Sequence, residues 1–401
     1  DEADKDPSFI AAEVTELHQD KVESGSKYPV KLSGLVLFNA YRNRGNFDIN
    51  DLPNLAFPRY DGGAGSVGAT LRQTILGVEA SGPDLMGSRT SADVSIDFAG
   101  GSPTSPYGIT TGLLRMRTAN VHLDWRNTSL TIGQDSPFFS PLSPTSYASV
   151  AEPGLSWAGN LWVWTPQVTL EHRISAGEGS HFALQAGILD PLTEEIPPLE
   201  GRQSTAGEST RLPAIAGHIA YDRLAAGSLP LEIGFGGYRG EQRYENFPQI
   251  DSWTFNSDYK LRMGSHVELS GEWYHGQAAG GLGGGIWTSV IYPDAAHSGI
   301  HPLHSTGGWT QLKVRPAPRF EINTAVGQDE NRGADLRFFA SPVDSFGYAP
   351  LEKNRAGFVN VIFRPNSVLL FAVEERHLFT APASGTAASG DHLNIAAGVR
   401  F

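Results

Sequence analysis

Sixteen segments of this chain alternate apolar and polar residues, and no segment is apolar for long. The segments are 30–41, 67–80, 88–98, 112–124, 128–134, 160–173, 180–190, 211–222, 229–239, 250–262, 264–275, 305–315, 318–328, 355–364, 367–377 and 391–401. In one, Ala92, Val94, Ile96 and Phe98 alternate with Ser91, Asp93, Ser95 and Asp97. In the last, Leu393, Ile395, Ala397, Val399 and Phe401 share a face. A period of two is the signature of a strand with two unlike faces. Many segments exceed the roughly 5–6 residues of a soluble strand and match the roughly 9–11 that a tilted strand needs to cross a bilayer. The longest apolar run, Val368–Val373, has six residues, against the ~20 of a spanning helix.

The connections alternate too. After odd segments they are mostly long (42–66, 99–111, 135–159, 191–210, 240–249, 276–304, 329–354, 378–390), and after even ones short, as at Trp125-Arg126-Asn127 and Pro365-Asn366. An up-and-down barrel in an outer membrane has this pattern, with short turns on one side and long loops on the other. In hydrocarbon every backbone N–H and C=O must find a partner within the protein, so only helices and closed barrels cross. The expectation is therefore an all-β, antiparallel, transmembrane barrel of sixteen strands. Its apolar face meets lipid, its polar face lines water, its turns are periplasmic and its loops external. Aromatic belts are expected at both interfaces. By strand position Trp162, Trp164, Trp253, Trp273 and Trp309 form the external one. Tyr221, Tyr259, Phe320, Phe363 and Phe401 form the periplasmic one.

Composition narrows the rest. With no cysteine, zinc fingers, iron–sulfur sites, disulfide scaffolds and thiol catalysis are excluded. A net charge of −13 argues against nucleic-acid binding, which needs a basic field. Residues 1–28 stand apart. Asp6 and Pro7 read as a helix start, and Ile10, Val14 and Leu17 recur at helical spacing. A short helix or a loosely ordered periplasmic segment is expected there. Asp1-Glu2-Ala3-Asp4 lacks the basic start and apolar core of a secretory signal, so the chain reads as mature.

The sixteen alternating segments, the final strand ending in Phe401 and the long third external connection together resemble the Gram-negative outer-membrane porins. The likeness spans about residues 29–401. The resemblance implies that the third loop, Asp135–Gly159, folds into the lumen as a constriction, and that Phe401 is an assembly signal read by the barrel-assembly machinery. It also implies a homotrimer embedded among outer-membrane lipid and lipopolysaccharide. The Pro-Glu-Phe-Gly-Gly element found in the third loop of some members is absent.

Within that frame Asp135 and Glu152 lie in the constriction loop, where few charges set a strong field. They imply a weak preference for cations. Asp93, Asp97, Glu171, Glu232, Glu268, Glu272 and Glu321 share the inward parity, as do Arg72, Arg173, Lys260, Arg262, Lys313 and Arg315. No basic ladder is visible. Arg115 and Arg117 follow the outward parity set by Val121 and Leu123. They lie above the hydrocarbon, pair with lipopolysaccharide phosphates, meet a subunit, or are re-aimed by a bulge. Strand two also changes parity between Leu71 and Leu76, which suggests a bulge there.

Other motifs fail their context tests. His297, His301 and His304 have no element holding them on one face, so metal binding is a minor reading. Gly63–Gly68 matches G-x-G-x-x-G but precedes a strand instead of joining strand to helix. Neither G-x-S-x-G nor H-E-x-x-H occurs. No cofactor and no catalytic set are expected. The expected function is a water-filled channel for passive diffusion of small hydrophilic solutes and ions. The alternative is a surface-binding or envelope-tethering barrel.

Overall fold

The computed structural model describes residues 28–58, 65–101, 112–195, 202–223, 230–245, 247–291, 299–337 and 350–401. The expected helix over 1–28 and His297 lie outside these residues, Tyr28 apart.

The strands are β1 (Val30–Arg44), β2 (in two pieces, Ser66–Thr70 and Ile75–Ser81), β3 (Arg89–Asp97), β4 (Arg115–Asp124), β5 (Thr128–Asp135) and β6 (Thr165–Ser175). They continue as β7 (Ser180–Leu189), β8 (Ala214–Arg223), β9 (Leu231–Gln242), β10 (Ile250–Met263) and β11 (Val267–Gln277). The last five are β12 (His304–Ala317), β13 (Phe320–Asn331), β14 (Leu351–Phe363), β15 (Leu369–Pro382) and β16 (Ala388–Arg400). Each strand pairs antiparallel with the next. β1 pairs with β16 from Leu35↔Arg400 to Arg44↔Asp391 and with β2 on its other side. The sheet is therefore a closed barrel without a free edge, the expected class.

Which face is which follows from the alternation. Phe38, Val94, Ile132, Leu170, Ile219, Phe255, Val326, Val373 and Ile395 are all exposed on the outer wall. An apolar belt of this extent belongs in lipid, because soluble monomers rarely expose contiguous apolar patches above a few hundred Å². Inward neighbours are polar and buried: Asn39, Asn256, Asn323, Asn360 and Asn394.

Both parity conflicts have a backbone cause. β3 and β4 change register between Ser95 and Ile96: Ser95 faces Thr118 but Ile96 faces Met116. Arg117 is the extra residue of a bulge, which resets the alternation. Arg115 then pairs with Asp97 inside the barrel while Met116 faces out. Of the placements open to the two arginines, re-aiming by a bulge is the one found, and their outward parity is corrected by it. In β2 the ladder is interrupted from Leu71 to Thr74, where Gln73 turns inward and is buried. The Thr74 hydroxyl accepts the Leu37 N–H at 3.1 Å and covers the gap.

Candidate channel constriction

The segment from Ser136 to Trp164 lies inside the barrel. Pro137, Pro141, Pro144 and Pro153 punctuate it and remove four backbone donors. It forms neither helix nor strand, so its remaining N–H and C=O groups need partners, and the inward side chains of the wall supply them. Asn39 donates to the Tyr147 carbonyl at 2.8 Å. Gln73 donates to the Ala148 carbonyl and accepts the Val150 N–H. Gln311 accepts the Thr145 N–H, and Asn360 donates to the Thr145 carbonyl. Glu272 accepts the Leu142 N–H at 2.6 Å and the Ser140 hydroxyl at 2.7 Å. Glu374 accepts the Ser146 hydroxyl. Irregular backbone is tolerated at membrane depth only when it is buried in protein or lines water. The Asn, Gln and Glu residues of the wall meet that condition strand by strand.

Apolar contacts complete the docking. Phe139 and Leu161 pack on Tyr238 and Tyr274, and Leu155 and Ala158 pack on Trp309, Phe358 and Leu378. Trp309, expected in the external belt, is 4% exposed and belongs to this inner packing. Trp162, 6% exposed, meets Trp164 edge-on and Trp287 at a tilt. The Arg115 and Arg117 guanidiniums lie over the Trp164 ring, at 5.1 and 4.5 Å from its centroid. These three tryptophans are corrected from lipid-facing to interior. Trp253, Trp273, Tyr221, Tyr259, Phe320 and Phe363 lie on the outward face of their strands, and Phe401 is exposed.

A second segment, Ala278–Ile291, also folds in. A Cβ on Gly281 would lie 2.0 Å from the Leu192 carbonyl oxygen, so only glycine fits. Tyr274 donates to Asp329 at 2.7 Å and accepts the Gly285 N–H at 2.8 Å. Glu194, from the loop after β7, accepts the Ser289 N–H and hydroxyl. Trp287 stacks on Trp157 at 5.3 Å and 10° and so ties this segment to the first.

The expected charges fall into three groups. Asp97 is fully buried and holds Arg115 at 2.7 Å and Arg117 at 3.0 Å. Those arginines donate to the Ala151 and Val150 carbonyls of the inserted loop. Asp135 accepts from Asn120 and from the Ser136 N–H. Glu152 accepts from Asn54, and burial raises its carboxyl above the usual range. Arg72 forks onto Asp51. Of this first group, Arg115, Arg117 and Glu152 pin the loop. Glu272 is in the second, buried beneath it.

The third group faces the water-accessible lumen. Asp93 pairs with His122 at 2.7 Å, and Glu232 lies 4.0 Å from Lys260. Arg173 is 69% exposed and its partner Glu171 19%. Arg262 is 46% exposed against 8% for Glu268, and Arg315 43% against 7% for Glu321. Lys313 also reaches Glu268, and Arg364 reaches Glu321. In the pairs of Arg173, Arg262, Arg315 and Arg364 the base stands toward water and the acid lies against the wall, whereas Asp93 and Glu232 are more open than His122 and Lys260.

Several contributors were not foreseen. Tyr147 accepts from Arg364 and Arg400. His218–Asp258 and Arg376–Glu374 are buried pairs at 2.7 Å on the inner wall. Glu374 and Arg376 are two apart in one strand, a spacing that does signal a shared face. Nothing local marks Trp157 or Trp287. Asp335 pairs with His301 and His304 at 3.3 and 2.9 Å. Among the described residues no group of three or more His, Asp or Glu side chains is arranged to hold a metal ion.

No protein-family model and no curated protein matches the sequence. Solved structures do. The outer membrane channel DcaP of Acinetobacter baumannii superposes with a TM-score of 0.74 at 16% identity, covering 95% of this chain and 99% of the other. The fold is that of the outer-membrane porins. An anion-selective porin from Comamonas acidovorans aligns with a TM-score of 0.61 at 12% identity, over 94% and 100% of the chains. Pseudomonas putida OprB aligns with 0.58 at 9%, over 98% and 97%. These likenesses, all under 25% identical, are likenesses of fold. Among the described residues no helix is long and apolar enough to cross a membrane.

Proposed function

We propose that this barrel is a passive, water-filled channel of a Gram-negative outer membrane for small hydrophilic solutes, narrowed by the 135–159 loop and its continuation to Trp164. The supporting observation is a closed barrel whose inner wall is polar and carries ion-paired charges. The weak cation preference expected from Asp135 and Glu152 rested on their facing the opening. Glu152 is engaged by Asn54 in docking the loop, and Asp135 by Asn120 of the neighbouring strand. The most open of the paired luminal charges are Arg173, Arg262 and Arg315, each with its acid set behind it, ahead of Glu232 and Asp93. A permeating solute meets the nearer charge more strongly, because interaction energy falls with distance. We therefore read the channel as leaning toward anions. Reversal potential in a potassium chloride gradient across a planar bilayer tests both parts. Absence of conductance removes the channel reading, and a cation-directed potential removes the anion preference.

Small solutes and ions, lipopolysaccharide, the barrel-assembly machinery and two further copies of the chain are the proposed partners. One similar solved structure, an outer membrane protein of Vibrio cholerae, is described as a trimer form.

A further inference from the structure

We propose that the outer wall holds one phosphorylated glycolipid of the external leaflet in a groove across β11–β14. This deepens the proposed lipid partnership by giving it a site. The groove has a volume of about 600 Å³ and is lined by Trp273, Thr306, Gly308, Val326, Gln328 and Arg355, among others. It exists because Gly308 has no side chain: a Cβ there would lie 2.8 Å from the Glu272 carbonyl oxygen and 3.3 Å from the Trp273 ring. Trp273 and Val326, both exposed, form its apolar banks. Its polar groups are satisfied internally, Tyr259 with Thr310 at 2.7 Å and His275 with Thr306 at 2.8 Å. An alkyl chain lying over these two pairs therefore meets donors that are already engaged.

The external end is basic. Arg355 is eight residues from Phe363 at the periplasmic end of β14. At about 3.3 Å per residue and a tilt of about 45° it stands about 19 Å up an apolar band about 25 Å tall. From there a long side chain snorkels to the headgroups of the outer leaflet. Its Nε donates to Gln328, which is neutral, so the guanidinium keeps its charge. The neighbouring Lys353 is paired with Glu330 at 3.1 Å, leaving the end of the groove net positive. An acyl chain on the glycine floor with its phosphate on Arg355 satisfies both halves.

The test uses the intact detergent-purified protein with rough lipopolysaccharide in one arm and phosphatidylglycerol in the other. Native mass spectrometry reads retention. Arg355→Gln should weaken lipopolysaccharide retention about fivefold, the worth of one basic residue at a membrane surface. Val326→Trp, which fills the groove from an exposed position, should do the same. Arg239→Gln, a rim arginine paired with Asp251, should change nothing. Equal lipopolysaccharide retention in all four proteins overturns the proposal. Equal losses of phosphatidylglycerol overturn the choice of glycolipid. The chain has no cysteine, so disulfide-linked dimers of Val326→Cys in membranes would show a second copy covering the groove, and would overturn it too. Conductance of the same preparations stands apart, since the groove lies on the wall's outer side.

Discussion

Gly34 and Phe401 exchange two backbone hydrogen bonds, Gly34 N–H to the Phe401 carbonyl at 2.8 Å and Phe401 N–H to the Gly34 carbonyl at 3.1 Å. The phenyl ring lies over the glycine: a Cβ on Gly34 would meet its Cζ at 2.6 Å and the Ile75 carbonyl oxygen at 2.9 Å. The last residue therefore closes the barrel on the first strand. Gly34→Val should displace the ring and lower barrel stability by about 1–3 kcal/mol, the usual penalty of overpacking. The temperature at which the folded band is lost in heat-modifiability gels measures this. Deleting Phe401 should slow insertion in vivo and leave the conductance of assembled barrels unchanged. Unaltered insertion kinetics would end its role as an assembly signal.

Glu272 holds the inserted loop through two contacts, to Ser140 and Leu142. Glu272→Ala leaves the Leu142 N–H unpartnered, a loss of about 1–3 kcal/mol in loop docking. Single-channel records should show larger and noisier openings. Conductance identical to the wild type would mean the loop does not limit the pore.

Arg376 and Glu374 are each 2% exposed and 2.7 Å apart. Arg376→Met strands a buried carboxylate and should cost roughly 3–5 kcal/mol, whereas the double variant with Glu374→Leu should recover most of it. Denaturant unfolding in detergent micelles distinguishes the two. A double variant as weak as the single one would show that the pair is not coupled.

Two half-buried carboxyls outside the strands give the external loops a pH dependence. Burial pushes Glu194 up to about 7 from 4.5, and Asp48 up to about 6 from 3.8. Between the unperturbed and folded values the folded protein binds the extra proton, so stability falls as pH rises through that window and stays reduced above it. Proteolysis within Ala278–Ile291, which Glu194 anchors through Ser289, should be slower at pH 5 than at pH 8. Glu194→Gln should flatten the difference. An unchanged profile in that variant would assign the effect elsewhere.

If the water-facing layer of luminal bases sets selectivity, Arg262→Gln with Arg315→Gln should move the reversal potential toward cations. Both are open to water and their acids are not. An unmoved potential would place the selectivity elsewhere.

Strand number, direction and closure were legible because they rest on local alternation and connection length, which survive without knowledge of any distant contact. Phe38, Ile132, Val326 and Ile395 face lipid as their parity dictates. Tertiary structure decided the rest. The bulge at Arg117 turned two arginines inward, and a single extra residue leaves no mark on composition. Trp162, Trp164 and Trp309 were assigned by strand position, yet the inserted loop draws them inside. A loop without secondary structure has no period to read. Where Ser136–Trp164 lies depends on donors and acceptors presented by strands hundreds of residues away, and those meet only once the barrel has closed.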